Sequence, residues 1–223
     1  MYKLHVKCLW LFIMGILLTA CTQDSYEKEE GWPSPSKTYD FAEVHVNAAK
    51  LIDYVITDNG DMLKSTLAPC KWAQTTDTLY RAIIGYYRTG SIVDVNSCSR
   101  VTTVGITPLS KVKIGMKTDP VKMESVWLSN NRRFLNAGIY LKIGSTAIKD
   151  IVHHLGVVSD TLMTHTDGKS TLMLRLYHDQ GGMPEYYSER IWFSIPLQDV
   201  RADSICLSIN TYTGIVAKTF AMK

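Results

Sequence analysis

A chain of 223 residues with a formal net charge of only +3 lacks the basic excess that holds a phosphate backbone, so nucleic acid is not an expected partner. With 46% hydrophobic residues it has the apolar material for one large core or two small ones. Its longest apolar run, Leu9 to Leu18, is too short to cross a bilayer, which takes about 20 residues.

Lys3 and Lys7 stand before that run and Leu18-Thr19-Ala20-Cys21 follows it. A basic start, a short apolar core and small residues at its end are the parts of a secretory signal. The tetrapeptide resembles the lipobox of bacterial lipoproteins. That resemblance implies cleavage between Ala20 and Cys21 and attachment of acyl chains, of the palmitate class, to Cys21. Two or more chains hold a protein stably where one holds it only reversibly. The expected location is therefore the cell envelope of a Gram-negative cell, lipid-anchored at the outer membrane and facing the periplasm or the surface. Removing residues 1–20 also removes two lysines, which leaves the mature chain at +1.

Residues 21–37 read as the lipidated Cys and a flexible tether, rich in Glu, Lys and Pro. From residue 38 the pattern has the period of strands. Ala42, Val44, Val46 and Ala48 alternate with polar residues, and Ile52, Tyr54 and Ile56 continue to the hairpin signal Asp58-Asn59-Gly60-Asp61. Leu79 to Tyr87, Ile92 to Val95 and Val101 to Ile106 are further strands. Five short strands over residues 38–118 fit a small OB-like barrel. Asp119-Pro120 marks the expected boundary. Residues 119–223 carry about seven strands joined by hairpin-like turns, with unbroken alternation at Leu135, Ala137, Ile139, Leu141 and Ile143. They read as an antiparallel β-sandwich, so the fold class is all-β.

Few residues invite a chemical role. Cys70, Cys98 and Cys206 remain after the signal; Cys70 and Cys98, in the same half, are the candidate disulfide, and three free thiols are the alternative. His153 and His154 point to opposite faces of a strand and cannot easily share a metal. His178-Asp179, with Glu185 and Glu189 nearby, is the one place where a hydrolytic or metal-dependent site could be imagined; Asp179 is better explained as a turn initiator. Tyr80, Tyr86 and Tyr87 either pack the barrel or stack on a sugar or peptide, and Trp127 and Trp192 are expected to pack the sandwich. No catalytic residues, no metal and no cofactor are assigned.

Over nearly the whole mature chain the sequence resembles the NigD-like family of envelope lipoproteins. The carrying segments are Asp53 to Gly60, Asp119 to Leu128, Leu174 to Asp179, Ile191 to Leu197 and the final hairpin; Ser65 to Thr78 departs from the pattern. The resemblance implies an N-terminal OB-type domain, a C-terminal β-sandwich and a non-enzymatic binding role, in the manner of a bacteriocin-immunity protein. The expected partner is an unknown protein or glycan. A structural component of an envelope complex and a metal-dependent hydrolase are the alternatives.

Overall fold

Two periods of alternation build the molecule. The computed structural model describes residues 36–144 and 152–222, which apart from Ser36 fall within the unit Lys37–Lys223. Ala20, Cys21 and most of the tether lie outside the described residues.

The first five strands are β1 (Thr38–Val46), β2 (Leu51–Thr57), β3 (Met62–Pro69), β4 (Thr78–Thr89) and β5 (Ile92–Arg100). They close into a barrel in the order β1-β2-β3-β5-β4. Ala42, Val44 and Val46 of β1, Ile52 and Val55 of β2, Leu63 of β3, Ala82 and Ile84 of β4 and Val93 of β5 fill the interior. Register shifts in the β1–β2, β2–β3 and β4–β5 ladders bend the strands enough for closure. The Asp58 to Asp61 segment makes the expected β2–β3 turn, with Gly60 at φ 92°.

The barrel has five strands as expected, but one differs. Met62–Pro69 supplies β3, which the sequence pattern hides. Leu67 takes a positive φ of 68° and stands exposed, so the inward alternation of Leu63 and Ser65 stops there. Conversely, the chain leaves the barrel at Val101, ahead of Asp119-Pro120. The short strands β6 (Thr102–Thr103) and β7 (Ile106–Pro108) pair with the sandwich.

The sandwich strands are β8 (Lys122–Leu128), β9 (Phe134–Ile143), β10 (His154–Thr164), β11 (Ser170–Asp179), β12 (Tyr187–Pro196), β13 (Ser204–Thr211) and β14 (Gly214–Ala221). One sheet runs β14-β13-β11-β10-β7 and the other β6-β12-β9-β8. Most ladders are antiparallel; β11–β13, β10–β7 and β12–β6 run parallel. Leu135, Ala137, Ile139, Phe193 and Ile195 from one sheet meet Val157, Leu174, Leu176, Ile205, Leu207 and Ile209 from the other. Each large aliphatic or Phe side chain in that layer contributes about 1.5–3 kcal/mol of burial.

The two modules are joined by a polar weld. Arg81, on the outer side of β4, is 5% exposed. Its guanidinium donates to both Asp58 oxygens at 2.6 and 2.7 Å, to Asn136 Oδ1 at 2.9 Å and to Ser194 Oγ at 3.0 Å. Asn136 Nδ2 returns a bond to Asp58 at 2.8 Å, and the Phe134 ring lies 4.1 Å from the Arg81 Cζ. The β2–β3 turn docks on the Asn130-Asn131 turn, with Asn131 N donating to the Asp58 carbonyl at 2.8 Å. Beside it Phe41 packs edge-on against Trp127 and Trp192 at centroid distances of 5.1 and 5.9 Å. The two tryptophans thus face the barrel from the outer side of the β12-β9-β8 sheet instead of filling the sandwich core.

Candidate functional site

The weld uses the ends of β8, β9 and β12 around Leu128, Phe134 and Ile195. At the other end of the same strands lies a cleft of about 600 Å³. Lys122 and Met123 form one wall, Tyr212 and Val216 of the β13–β14 hairpin form another, and Tyr140, Lys142 and Ser188 come from β9 and β12. β8 and β14 are the outermost strands of their sheets on this side, so the sandwich is open between them. The Val121–Thr211 bridge, with Val121 N donating to the Asn210 carbonyl at 3.0 Å, and Asn210 Nδ2 donating to the Thr118 carbonyl at 2.7 Å, tie the segment that leads into β8 to β13. The Lys122 ammonium sits 5.1 Å from the Tyr140 ring centroid. The cleft offers hydroxyls, ammonium groups and aromatic edges over an apolar floor. That lining suits recognition of a polar surface, since a few polar groups on an apolar wall fix orientation.

A histidine pair buttresses this cleft. His178 is 1% exposed and its Nδ1 lies 2.9 Å from the Asp119 carbonyl. A carbonyl only accepts, so Nδ1 carries a proton, and in the singly protonated tautomer Nε2 is then the acceptor. Its partner is His153 Nδ1 at 2.9 Å, which therefore donates. The segment Lys117 to Asp119 is pinned to β11 from both sides, by His178 N to the Lys117 carbonyl and Asp119 N to the His178 carbonyl. Two residues further on, that segment becomes the cleft wall. His153 and His154 do diverge as expected, one half-buried and one exposed. The sequence reading missed the pairing of His153 with His178, because 25 residues separate them and no spacing rule links them.

This arrangement leaves little for hydrolysis. Both His178 nitrogens are occupied, Asp179 Oδ1 caps the turn by accepting from Gly181 N at 2.9 Å, and Glu185 accepts from Gln180. Among the described residues, no three of His, Cys, Asp and Glu form a set that could hold a metal ion. Tyr80 and Tyr86 are packing residues. Tyr86 is buried and donates to Asp40 at 2.6 Å, while Tyr80 sits edge-on to Trp72 at 5.3 Å.

The pair also makes stability depend on pH. Burial first, and then the adjacent His178, hold the His153 pKa below its ordinary 6.5; the Lys142 backbone and the Asp119 and Glu189 carboxylates pull more weakly the other way. A base with a lowered folded pKa stabilises the fold above its unfolded pKa, and that contribution fades as pH falls through the folded value. Melting temperature should therefore decline as pH drops from 7 through 6, and His153→Gln should flatten that part of the curve. An identical slope in the variant would remove His153 from the account.

An OB-like barrel welded to a β-sandwich, with no assembled catalytic set among the described residues, is the class defined by fold and site. Residues 103–222 match the model of the NigD-like C-terminal beta sandwich domain. The chain belongs to the NigD-like family. Among solved structures it is similar to a NigD-like immunity protein from Bacteroides caccae, at 24% identity and a TM-score of 0.64, covering 85% of this chain and 99% of that one. It is also similar to a candidate toxin-related protein from Parabacteroides distasonis, at 16% identity and a TM-score of 0.61, covering 83% and 92%. A candidate lipoprotein from Bacteroides fragilis matches at 14% identity and a TM-score of 0.54, covering 85% and 99%. No curated protein sequence matches the chain.

Proposed function

We propose that this protein is a lipid-anchored envelope lipoprotein that works as a binding module without catalytic chemistry, and that the cleft between β8 and β14 is its binding site. The observation that carries the reading is the cleft itself. It lies at the end of the sandwich away from the barrel weld, between two strands that each have one unpaired edge. The Leu18 to Cys21 sequence supports the anchor, and the neighbours described as an immunity protein and a candidate lipoprotein support the setting. The partner is a protein or glycan outside the cytoplasm; by analogy with the immunity-type neighbour, a toxin protein is the first to try. In this reading the tether gives the barrel and sandwich reach from the outer membrane.

The test immobilises residues 21–223 and the double variant Lys142→Glu, Tyr212→Ala, and exposes both to envelope extracts and glycan arrays. Losing an aromatic contact at a binding hot spot costs about 2 kcal/mol or more, so the variant should bind more than about tenfold more weakly. Equal retention by both proteins would move the site elsewhere. Co-purification at fixed stoichiometry with cleft-independent contacts would instead make the chain a structural component of an envelope complex.

A further inference from the structure

The barrel has one weak seam. β1 and β4 pair over nine registered residues, whereas β3 and β5 run parallel and pair only at Lys64–Ile92 and Ser65–Val93. Both pairs have an offset of 28 residues. The same offset persists one residue on, where Thr66 Oγ1 donates to Asp94 at 2.9 Å. Beyond it the strands part around a cavity of about 280 Å³ bordered by Ala68, Pro69, Trp72, Val95 and Cys98. Continued along the chain, that offset sets Cys70 opposite Cys98. Trp72, two residues after Cys70, donates from Nε1 to the Cys98 carbonyl at 3.0 Å and holds the segments together. Cys70 is 1% exposed in the barrel core and Cys98 packs against that core. The third thiol, Cys206, is buried in the sandwich.

We infer that Cys70 and Cys98 are a modification site: a disulfide that the protein acquires during export and that closes the barrel where hydrogen bonding fails. Both thiols are free in the structure. The chemistry is exchange with a disulfide-bearing oxidant of the envelope. The Cys98 thiolate attacks the oxidant's disulfide and expels one oxidant thiolate, giving a mixed disulfide. The Cys70 thiolate then attacks the Cys98 sulfur and expels the second. Two protein S–H bonds are lost, and their protons end on the reduced oxidant. Timing follows from burial. In the folded chain, burial and then the neighbouring Cys70 push Cys98 up to about 12, and burial likewise raises Cys70, so thiolate is scarce. Exchange is therefore fast before the barrel closes and slow afterwards.

Protein recovered from the envelope is denatured, alkylated without reductant, digested and analysed by mass spectrometry. The expected result is a linked Cys70–Cys98 peptide with Cys206 alkylated. Alkylation of all three thiols, or a link involving Cys206, would overturn the inference. A second measurement avoids reliance on a variant that fails to fold. Reduction of the wild type and of Cys206→Ala should lower the melting temperature by about 10 °C, the effect of a medium-sized loop in a domain of this size. No change on reduction would count equally against the bridge.

Discussion

Arg81→Ala is expected to cost about 3–5 kcal/mol of stability, the usual penalty for removing one partner of a buried ion pair. In a unit of this size that lowers the melting temperature by roughly 10 °C. The reason lies in what stays behind. Asp58 loses two charge-assisted bonds and keeps only the Asn136 Nδ2 donor, while Ser194 Oγ and Asn136 Oδ1 lose the shared cation. Arg81→Lys should recover little, because a single ammonium cannot reproduce a fork that serves Asp58, Asn136 and Ser194 together. Arg81→Met with Asp58→Asn should recover part of the loss, since no unpaired charge then remains. The shape of the unfolding curve carries further information. With the weld intact, barrel and sandwich should melt in one transition; without it, two transitions should appear in urea. A loss below about 1 kcal/mol, the range of an exposed pair, would show that the network is more open than its burial implies.

The second large effect is steric. A Cβ built on Gly138 would lie 2.1 Å from Trp192 Cζ3, with two further ring atoms at 2.6 and 2.8 Å. The indole is packed against three neighbouring side chains. Phe41 and Trp127 hold it edge-on at 5.9 and 5.7 Å, and the Arg190 guanidinium lies 5.3 Å from its ring. Gly138→Ala should therefore cost at least the 1–3 kcal/mol typical of overpacking and disturb the barrel contact along with it. Near-UV circular dichroism should report the displaced tryptophans. Gly156→Ala is the control. Its Cβ would meet Tyr177 at an ordinary 3.4 Å, so it should be neutral or mildly stabilising, because glycine weakens a strand interior. Equal effects at both glycines would mean that Trp192 is not fixed.

These two positions show how far the sequence could be read. Turn chemistry and alternation sufficed for the turn at Asp58 to Asp61, for β9 and for the all-β class, because those features are local. The weld was hidden because Arg81, Asn136 and Ser194 each occupy an outward position of an alternating strand, where a polar residue reads as solvent-facing. Only the docking of one module on the other buries them. β6 and β7 are two and three residues long and take their partners from β12 and β10, far along the chain. No local pattern announces such pairings, which is why the chain leaves the barrel earlier than Asp119-Pro120 indicated. The cleft was likewise out of reach, since its walls come from strands separated by tens of residues.

The proposed anchor is what would set the cleft outside the cytoplasm, and the mass of the mature N-terminus tests it most directly. Protein extracted from the producing cell's membranes should yield an N-terminal peptide beginning at Cys21 and carrying a diacylglyceryl group and a further acyl chain. A chain that keeps residues 1–20, or that begins elsewhere with Cys21 unmodified, would contradict the account.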